Sequence, residues 1–367
     1  MSGYELHVGA PAFWRRAAGD IAGARRRVLV QAMTFEGDAA GLSVAAAIAG
    51  SAAADRRVLV DAYSRAVISD RWVTGPRARL APELRNEVEA TDAMFADLGR
   101  RGVGVRVTNP FGPLMANYPA RNHKKLIVAD DVAWLGGINF SDHNFAWADF
   151  MLRLEGGSAA DFLGEDFQAT WAGAPHAASA QLDDLSLISL DGRSNDRFFA
   201  DYEALIAGAR RELLVMSAYL TFPFTDPLAA AARRGVAVTL ITPRDNNKPM
   251  VRDNLLRFAR RAGLDVRLTP GMSHAKGLLI DGEALVVGSC NFDFASLAAE
   301  EELVAIIRAP EVIAAFRREV IEPALADART PGAASSFAGL HAYTTLKLAE
   351  VVARSARRAR RTAADWA

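Results

Sequence analysis

Two short motifs place histidine, lysine and aspartate at the same spacing. Each consists of a histidine, one residue, a lysine, four residues and an aspartate, and the two sets are His123, Lys125 and Asp130, and His274, Lys276 and Asp281. Residues two apart on a β-strand face the same side, so each histidine and its lysine point together. Lysine is scarce, with five among 43 basic residues. A double match by chance is therefore improbable, and the motifs indicate a common function.

Paired histidines and lysines suit the transfer of a phosphoryl group. The lysines neutralise the non-bridging oxygens of the phosphate, one imidazole attacks phosphorus, and the other serves the leaving group as a general acid. Histidine fits both roles because its unperturbed pKa of about 6.5 lies near neutrality. No cluster of residues has metal-ligand spacing, so we predict that neither a metal nor another cofactor takes part.

Downstream of each motif the chain continues with a glycine corner and, later, a carboxylate. The candidates for binding phosphate or orienting a histidine are Asn139, Asp149, Ser289, Asn291 and Glu302. The two asparagines are either functional or turn-forming residues. Asp130 and Asp281 fall at predicted hairpin turns, where they either pin the strands or contact the substrate.

The motifs lie within a longer internal repeat. Residues 26–30 resemble 211–215, and residues 98–107 resemble 258–268, where a helix end, a glycine and a strand follow one another. Strands that alternate with helical patterns indicate parallel βα units. We predict an α/β protein with two pseudo-symmetric halves packed around one shared active site.

The repeat also predicts the domain boundaries. The halves cover 1–172 and 193–328, and the segment between them, 173–192, is rich in Ala, Ser, Asp and Gly and is predicted as a linker. The first half contains an insertion at about 62–91, which either shapes a binding site or decorates the surface. Residues 329–367 are predicted as a basic helical tail.

The composition excludes several classes of protein. The chain has 367 residues, and its 43 basic and 43 acidic residues balance, whereas a non-specific nucleic-acid binder usually carries a basic excess. We therefore expect no nucleic-acid partner. The single cysteine, Cys290, excludes an intramolecular disulfide and a cysteine-rich zinc site. The sequence contains no secretion signal and no stretch of ~20 apolar residues, so we expect a cytoplasmic location.

Two segments suggest contact with a membrane surface. The apolar, proline-rich loop 109–120 precedes His123, and it either meets acyl chains or packs in the ordinary way. The tail segment 340–361 combines an apolar stripe with six cations, which are Lys347, Arg354, Arg357, Arg358, Arg360 and Arg361. It is either a solvated helix or an attachment to anionic lipid, where each cation contributes ~1 kcal/mol. The second alternative predicts peripheral association with the inner face of the cell membrane.

The duplicated pattern resembles the phospholipase D superfamily, with its repeated His-x-Lys-x-x-x-x-Asp motif. The resemblance covers roughly 24–321. Within the superfamily, the chain most resembles a bacterial cardiolipin synthase without N-terminal transmembrane helices. The stretches that carry it are 121–125, 136–139, 147–149 and 288–297. It implies two phospholipase D-like halves, one active site between them, a phosphohistidine intermediate and no metal.

This resemblance implies a phosphatidyltransferase that passes a phosphatidyl group through a phosphohistidine, at His123, to the hydroxyl of a second phospholipid such as phosphatidylglycerol. The alternatives are a phospholipase D that hydrolyses phospholipids and a phosphodiesterase or nuclease of the same superfamily. The family usually carries Arg before Ser296 and Asn near position 300, where this chain has Ala295 and Glu300. The catalytic set is intact, and the departures concern the choice of substrate.

Overall fold

The computed structural model describes residues 3–73, 81–332 and 336–364. The chain divides into two compact units at His176 and Ala177. Each unit is built on one mixed β-sheet with helices packed against it. The predicted α/β class with two halves is confirmed.

The first unit contains a seven-stranded sheet and a short hairpin. Its strands are β1 (Gly3–Val8), β2 (Arg27–Ala32), β3 (Asp55–Asp61), β4 (Val67–Ile68), β5 (Arg71–Trp72), β6 (Gly104–Thr108), β7 (Leu126–Ala129), β8 (Val132–Gly136) and β9 (Phe150–Glu155). Its helices are α1 (Ala10–Gly23), α2 (Ala39–Gly50), α3 (Tyr63–Ala66), α4 (Pro82–Arg100), α5 (Asp142–Phe145) and α6 (Gly157–Trp171), with a 3₁₀ turn at Pro113–Met115.

The sheet of the first unit has the order β1-β9-β8-β7-β2-β3-β6. Strands β2, β3 and β6 are parallel, and the other pairs are antiparallel. Strand β2 is buried from Val28 to Ala32, as expected for a strand covered on both faces. Helix α1 packs against the sheet with Phe13, Ala17 and Ile21, which recur at helical spacing and are fully buried.

The second unit repeats this plan with an eight-stranded sheet. Its strands are β10 (Ala178–Leu182), β11 (Leu185–Asp191), β12 (Glu212–Met216), β13 (Ala237–Pro243), β14 (Asp265–Thr269), β15 (Gly277–Ile280), β16 (Ala284–Gly288) and β17 (Glu301–Ile307). Its helices are α7 (Asp196–Gly208), α8 (Thr225–Arg233), α9 (Pro249–Ala262), α10 (Phe294–Ala298), α11 (Pro310–Phe316), α12 (Glu322–Ala326) and α13 (Ser336–Ala364), with a π-helical turn at Arg317–Ile321.

The sheet order in the second unit is β10-β11-β17-β16-β15-β12-β13-β14, with β12, β13 and β14 parallel. Each predicted motif hairpin is present: β7 pairs with β8, and β15 pairs with β16, both antiparallel. In both units the histidine motif therefore leads into a central strand of the sheet.

The segment 173–192, predicted as a linker, contains strands β10 and β11 instead. They form an antiparallel hairpin, and β11 adds to the sheet beside β17. Alternate side chains of β11, among them Leu185 and Leu187, are buried. The prediction was wrong here because the Ala, Ser and Asp residues around these leucines concealed the two-residue period of a strand.

The tail is helical, as predicted, and it packs on the second unit. Ala342, Leu346 and Ala353 of α13 are buried. Two of the predicted lipid-binding cations form ion pairs with Glu350, at 2.9 Å from Lys347 and 2.7 Å from Arg354. The side chains of the other four, Arg357, Arg358, Arg360 and Arg361, lie outside the described residues. In the part of the chain that the structure describes, no helix has the length and hydropathy to cross a membrane.

Candidate active site

The first motif lies at the start of β7. His123 and Lys125 are 5% and 0% exposed. The ammonium group of Lys125 donates a hydrogen bond to the backbone carbonyl of His123 at 2.6 Å. The lysine side chain therefore folds back toward the backbone of its own histidine, just before β7 begins at Leu126.

The second motif has the same local geometry. His274 and Lys276 are 5% and 1% exposed, and Lys276 Nζ donates to the carbonyl oxygen of His274 at 2.5 Å. The imidazole also lies edge-on to the ring of Tyr219, with ring centres 5.8 Å apart. Each unit thus holds one buried histidine and one buried lysine in the same arrangement, which is what the duplication predicts.

In the first unit, a glycine corner brings Asp149 and Asn139 to the end of β8. A Cβ added to Gly137 would lie 2.3 Å from Asp149 Oδ2, so the carboxylate fills the space that only glycine leaves. Asp149 Oδ1 accepts the backbone N–H of Phe150 at 2.8 Å. Asn139 Oδ1 accepts the N–H of Thr34 at 3.1 Å, so its side chain joins the segment that follows β2.

In the second unit, Glu302 is held by two serines. Ser289 Oγ donates to one of its carboxylate oxygens, and Ser296 Oγ donates to the other at 2.7 Å. Asn291 is 5% exposed, and its Oδ1 has no hydrogen-bond partner among the described residues. A buried acceptor without a hydrogen-bond partner lowers the stability of the folded protein. The sequence predicted Ser289, Asn291 and Glu302 as site residues but did not predict Ser296. In the sequence, Ser296 stands out only because it matches a position of the phospholipase D motif.

Glu300, which stands where the resemblance implies asparagine, is part of the same acidic group. Ser296 Oγ lies 3.1 Å from Glu300 Oε2. Burial raises the pKa of Glu300 well above its usual value, and the nearby carboxylates of Asp293 and Glu302 raise it further. Burial also raises the pKa of Asp293, to about 6. Burial and the neighbouring carboxylates therefore favour the protonated form of Glu300, which, like an amide, can donate a hydrogen bond.

Asp130 and Asp281 occupy the turns at the far ends of the motif hairpins. The Asp130 carboxylate accepts the backbone N–H groups of residues 25, 26 and 27 at 2.8–2.9 Å. Asp281 accepts those of residues 210, 211 and 212 in the same way. Each aspartate lies seven positions after its histidine, which corresponds to on the order of 20 Å of extended chain at ~3.3 Å per residue. Of the two roles left open by the sequence, the geometry favours pinning the strands.

Replacing Asp130 by alanine is expected to lower stability and to leave the chemistry intact. The change removes a charged acceptor from three N–H donors, and a hydrogen bond to a charged group contributes ~1.5–3 kcal/mol. Burial tends to raise the pKa of Asp130, but the three donors outweigh it and hold the pKa below its usual value. Its stabilisation is thus present above the unfolded-state pKa and is lost as pH falls through the folded-state pKa.

The measurement is denaturant unfolding together with kcat of the folded fraction. Asp281→Ala is the matched variant in the other unit, and Asp131→Ala, an exposed aspartate at the same turn, is the control. A large loss of kcat with unchanged stability would assign Asp130 to the reaction instead.

A buried polar network precedes His123, and sequence reasoning did not find it. Arg121 Nη1 donates to Asp61 Oδ1 at 2.8 Å, with the two side chains 4% and 0% exposed. The other Asp61 oxygen accepts the backbone N–H of Asn122 at 2.6 Å. Gln31 Nε2 donates to Asn122 Oδ1 at 2.8 Å. The ends of β2 and β3 thereby fix the two residues that lead into His123.

Next to this network, two rings of the loop 109–120 form an exposed aromatic cluster with Trp72 of β5. Trp72, Phe111 and Tyr118 lie with ring centres 5.7–6.1 Å apart. Trp72 and Tyr118 are 42% and 41% exposed. The guanidinium of Arg121 lies 4.5 Å from the ring centre of Phe111. The apolar loop noted in the sequence therefore presents aromatic rings at the surface and is joined to the segment before His123.

A buried carboxyl anchors the insertion predicted at 62–91, of which 74–80 lie outside the described residues. Both oxygens of Glu36 accept the N–H of Ser69, at 3.3 and 3.2 Å. Burial raises the pKa of Glu36 to about 8. His143 Nδ1 lies 3.8 Å from the carboxyl, and the other charged groups that face it are Asp38, Asp70 and Glu87.

The stability of the fold is expected to decrease as pH rises from weakly acidic to alkaline, because of Glu36. A carboxyl whose folded-state pKa is raised stabilises the fold below its unfolded value of 4.5, and this contribution is lost as pH rises through about 8. Melting temperatures of the wild type and Glu36→Gln at pH 6 and pH 9 test this. The variant should show the smaller decrease. An equal decrease in both proteins would show that Glu36 does not titrate in this range.

Comparisons with known proteins found relatives in sequence and in fold. Residues 202–322 match a family described as "Cardiolipin synthase, PLD-like domain". Cardiolipin synthase A of Yersinia pseudotuberculosis is 29% identical, over 59% of this chain and 50% of the relative. The chain thus spans about half the length of the curated relatives it matches.

Two solved structures share the fold. The phosphatidylserine synthase of Haemophilus influenzae Rd KW20 superposes with a TM-score of 0.71 at 14% identity, over 96% of this chain and 94% of that one. The polyphosphate kinase of Porphyromonas gingivalis gives a TM-score of 0.58 at 14% identity, over 95% of this chain and 56% of that one. At this level of identity the likeness concerns the fold alone. Together with the sequence matches, it confirms the resemblance drawn from the two motifs.

Proposed function

We propose that this cardiolipin-synthase-like chain of the phospholipase D superfamily is a phosphatidyltransferase. The observation that carries the proposal is the repeated arrangement of His123 with Lys125 and of His274 with Lys276, buried and alike in both units. The similarity to cardiolipin synthases supports phospholipid substrates. In this proposal the two units contribute to one site, each with one histidine and one lysine.

In the first step, a nitrogen of His123 attacks the phosphorus of a phospholipid. The new P–N bond forms as the bond from phosphorus to the head-group oxygen breaks. His274, protonated, donates its proton to that oxygen, and the head-group alcohol leaves. Lys125 and Lys276 stabilise the charge that develops on the non-bridging oxygens. His123 is assigned as the nucleophile because its unit carries the aromatic loop and the insertion, which would retain the lipid part.

In the second step, the hydroxyl of another phospholipid attacks the phosphohistidine. Its oxygen forms the new P–O bond while the P–N bond to His123 breaks, and its proton passes to His274, which is neutral after the first step. The two steps are thus matched, and two phosphatidylglycerol molecules give one cardiolipin and one glycerol.

The surrounding residues support the histidines in this proposal. Asp149 and Glu302 orient the imidazoles, and Glu302 is itself positioned by Ser289. Asn139 and Asn291 lie at the glycine corners, and the buried, unpartnered Oδ1 of Asn291 shows that its amide is not fully satisfied within the described protein.

We also propose peripheral attachment to an anionic membrane, at the cytoplasmic face. The aromatic cluster of Trp72, Phe111 and Tyr118 suits the interface between water and lipid, where amphipathic rings concentrate. Helix α13 carries a second exposed apolar face, formed by Leu340, Leu348, Val351 and Val352, which are 49–68% exposed. The sequence places four arginines directly after this face, a combination that favours anionic lipid.

Product analysis after incubation with phosphatidylglycerol vesicles tests the function. Cardiolipin and glycerol in equal amounts would support transfer. Phosphatidic acid and glycerol would assign the chain to the hydrolytic phospholipases D. An inert lipid combined with cleavage of a nucleic acid would favour the nuclease branch. The reaction is expected to persist after exhaustive chelation, because the lysines supply the positive charge.

A further inference from the structure

The ring of Tyr219 lies among three groups of the second unit. The ring centre of His274 is 5.8 Å away. The ammonium nitrogen of Lys276 lies 6.0 Å from the ring centre, and that of Lys248 lies 4.5 Å from it. Lys248 belongs to neither motif, yet the same buried ring contacts it and the second motif.

Hydrogen bonds fix the loop that carries Lys248. The hydroxyl of Tyr219 donates to Asn247 Oδ1 at 2.5 Å. Asn246 Nδ2 donates to the carbonyl of Ala218 at 2.6 Å, and Asn246 Oδ1 accepts the N–H of Lys248 at 2.7 Å. The chain after β13 is thereby tied to the chain after β12, and the position of Lys248 relative to His274 is set by the fold.

The charge of Lys248 has no close counter-ion. Among the described residues, no carboxylate lies within 4.0 Å of its ammonium group, which is exposed to solvent. The carboxyls that act on it from a greater distance are Asp293 and Glu300. Burial raises the pKa of Glu300 well above its usual value, which weakens its effect on Lys248. An exposed cation that shares the Tyr219 ring with the second histidine, and that has no carboxylate within 4.0 Å among the described residues, is therefore available to an anion.

The other lysines have different partners. Lys124 is fully buried and donates to Asp166 at 2.6 Å. Lys347 pairs with Glu350 on the tail helix. Lys125 and Lys276 belong to the motifs. Lys248 is the remaining one of the chain's five lysines.

We propose that Lys248 binds the phosphodiester of the second, accepting phospholipid. This inference rests on the proposed transfer reaction. That reaction brings together two phosphates, and Lys125 and Lys276 serve the one that is transferred. An acceptor such as phosphatidylglycerol carries its own phosphodiester three carbons from the attacking hydroxyl, which gives its proton to His274. A cation that contacts the same Tyr219 ring as His274 and lies outside the motifs meets this requirement. Met250, two residues further on and 42% exposed, offers apolar surface to the same lipid.

The test is a competition between two acceptors in one reaction. Labelled phosphatidylglycerol is the donor, and unlabelled phosphatidylglycerol and 1-butanol compete as acceptors, so that cardiolipin and phosphatidylbutanol form together. Their ratio is independent of donor binding and of attachment to the vesicle. Because Lys248 contacts only the acceptor phosphate, Lys248→Gln is expected to lower the ratio of cardiolipin to phosphatidylbutanol about tenfold or more.

Arg244→Gln is the matched control. It removes one exposed positive charge from the same loop, where Arg244 pairs with Asp245 at 3.0 Å, and it should leave the ratio unchanged. Lys248→Arg keeps the positive charge, so its ratio of cardiolipin to phosphatidylbutanol is expected to stay close to that of the wild type. An unchanged ratio in Lys248→Gln, or an equal loss in Arg244→Gln or Lys248→Arg, would overturn the inference and leave the transfer reaction standing. A wild type that forms neither product would instead refute the proposed function, and this inference with it.

Discussion

Replacing His123 or His274 by alanine is expected to abolish phosphatidyl transfer. Without the first imidazole the phosphohistidine cannot form, and without the second neither the leaving alcohol nor the entering hydroxyl exchanges its proton. General acid–base catalysis alone contributes about 10²–10⁴-fold, and loss of the nucleophile removes the covalent pathway altogether. We therefore expect the kcat of each single variant to be lower than that of the wild type by at least about a thousandfold. Labelled phosphatidylglycerol in vesicles, assayed for cardiolipin, provides the measurement.

A histidine outside the motifs provides the control. His341 lies on an exposed face of α13, so His341→Ala should retain both activity and stability. Circular dichroism and thermal melting of all three variants separate loss of chemistry from loss of fold. If either motif variant keeps substantial activity while its melting curve matches that of the wild type, one unit suffices and the shared-site proposal is wrong.

The sequence predicted the elements that carry the histidines because their signals are local. The apolar runs that follow the two His-x-Lys pairs mark the hairpins of β7 with β8 and of β15 with β16, although His123 and Lys125 themselves precede β7. The same holds for the acidic turns, where Asp130 has a left-handed φ of 52° and Asp281 one of 54°. The duplication reinforced each local signal with a second copy.

The features that the sequence did not predict depend on distant partners. Strand β1 pairs with β9, and β11 pairs with β17, and in both cases the two strands are far apart in the sequence. The structural role of Asp130 depends on the N–H groups of residues 25–27, at the start of β2, which are about a hundred residues away in the sequence. Lys248 and Tyr219 are 29 residues apart, and no periodic pattern relates them. Such contacts follow from tertiary packing, which overrides local preference.

The buried pair of Asp61 and Arg121 illustrates how such a contact affects the site. Strand β3 ends at Asp61, and the aspartate binds both the guanidinium of Arg121 and the N–H of Asn122. At the corresponding place in the second unit, Met272 and Ser273 precede the histidine. The two units therefore hold their histidines by different means, and the charged network belongs to the unit to which we assign the nucleophile.

Breaking this pair is expected to cost about 3–5 kcal/mol of stability, because either single change leaves one buried charge uncompensated. Both Asp61→Asn and Arg121→Met should show this loss in urea unfolding. Their double variant should lose less than the sum of the two, since it removes both charges. The exposed pair of Asp97 and Arg100, 3.1 Å apart, is the control, and Asp97→Asn should cost no more than about 1 kcal/mol. Strictly additive losses for Asp61 and Arg121 would show that the pair is not coupled, and the segment before His123 would then owe its position to packing alone.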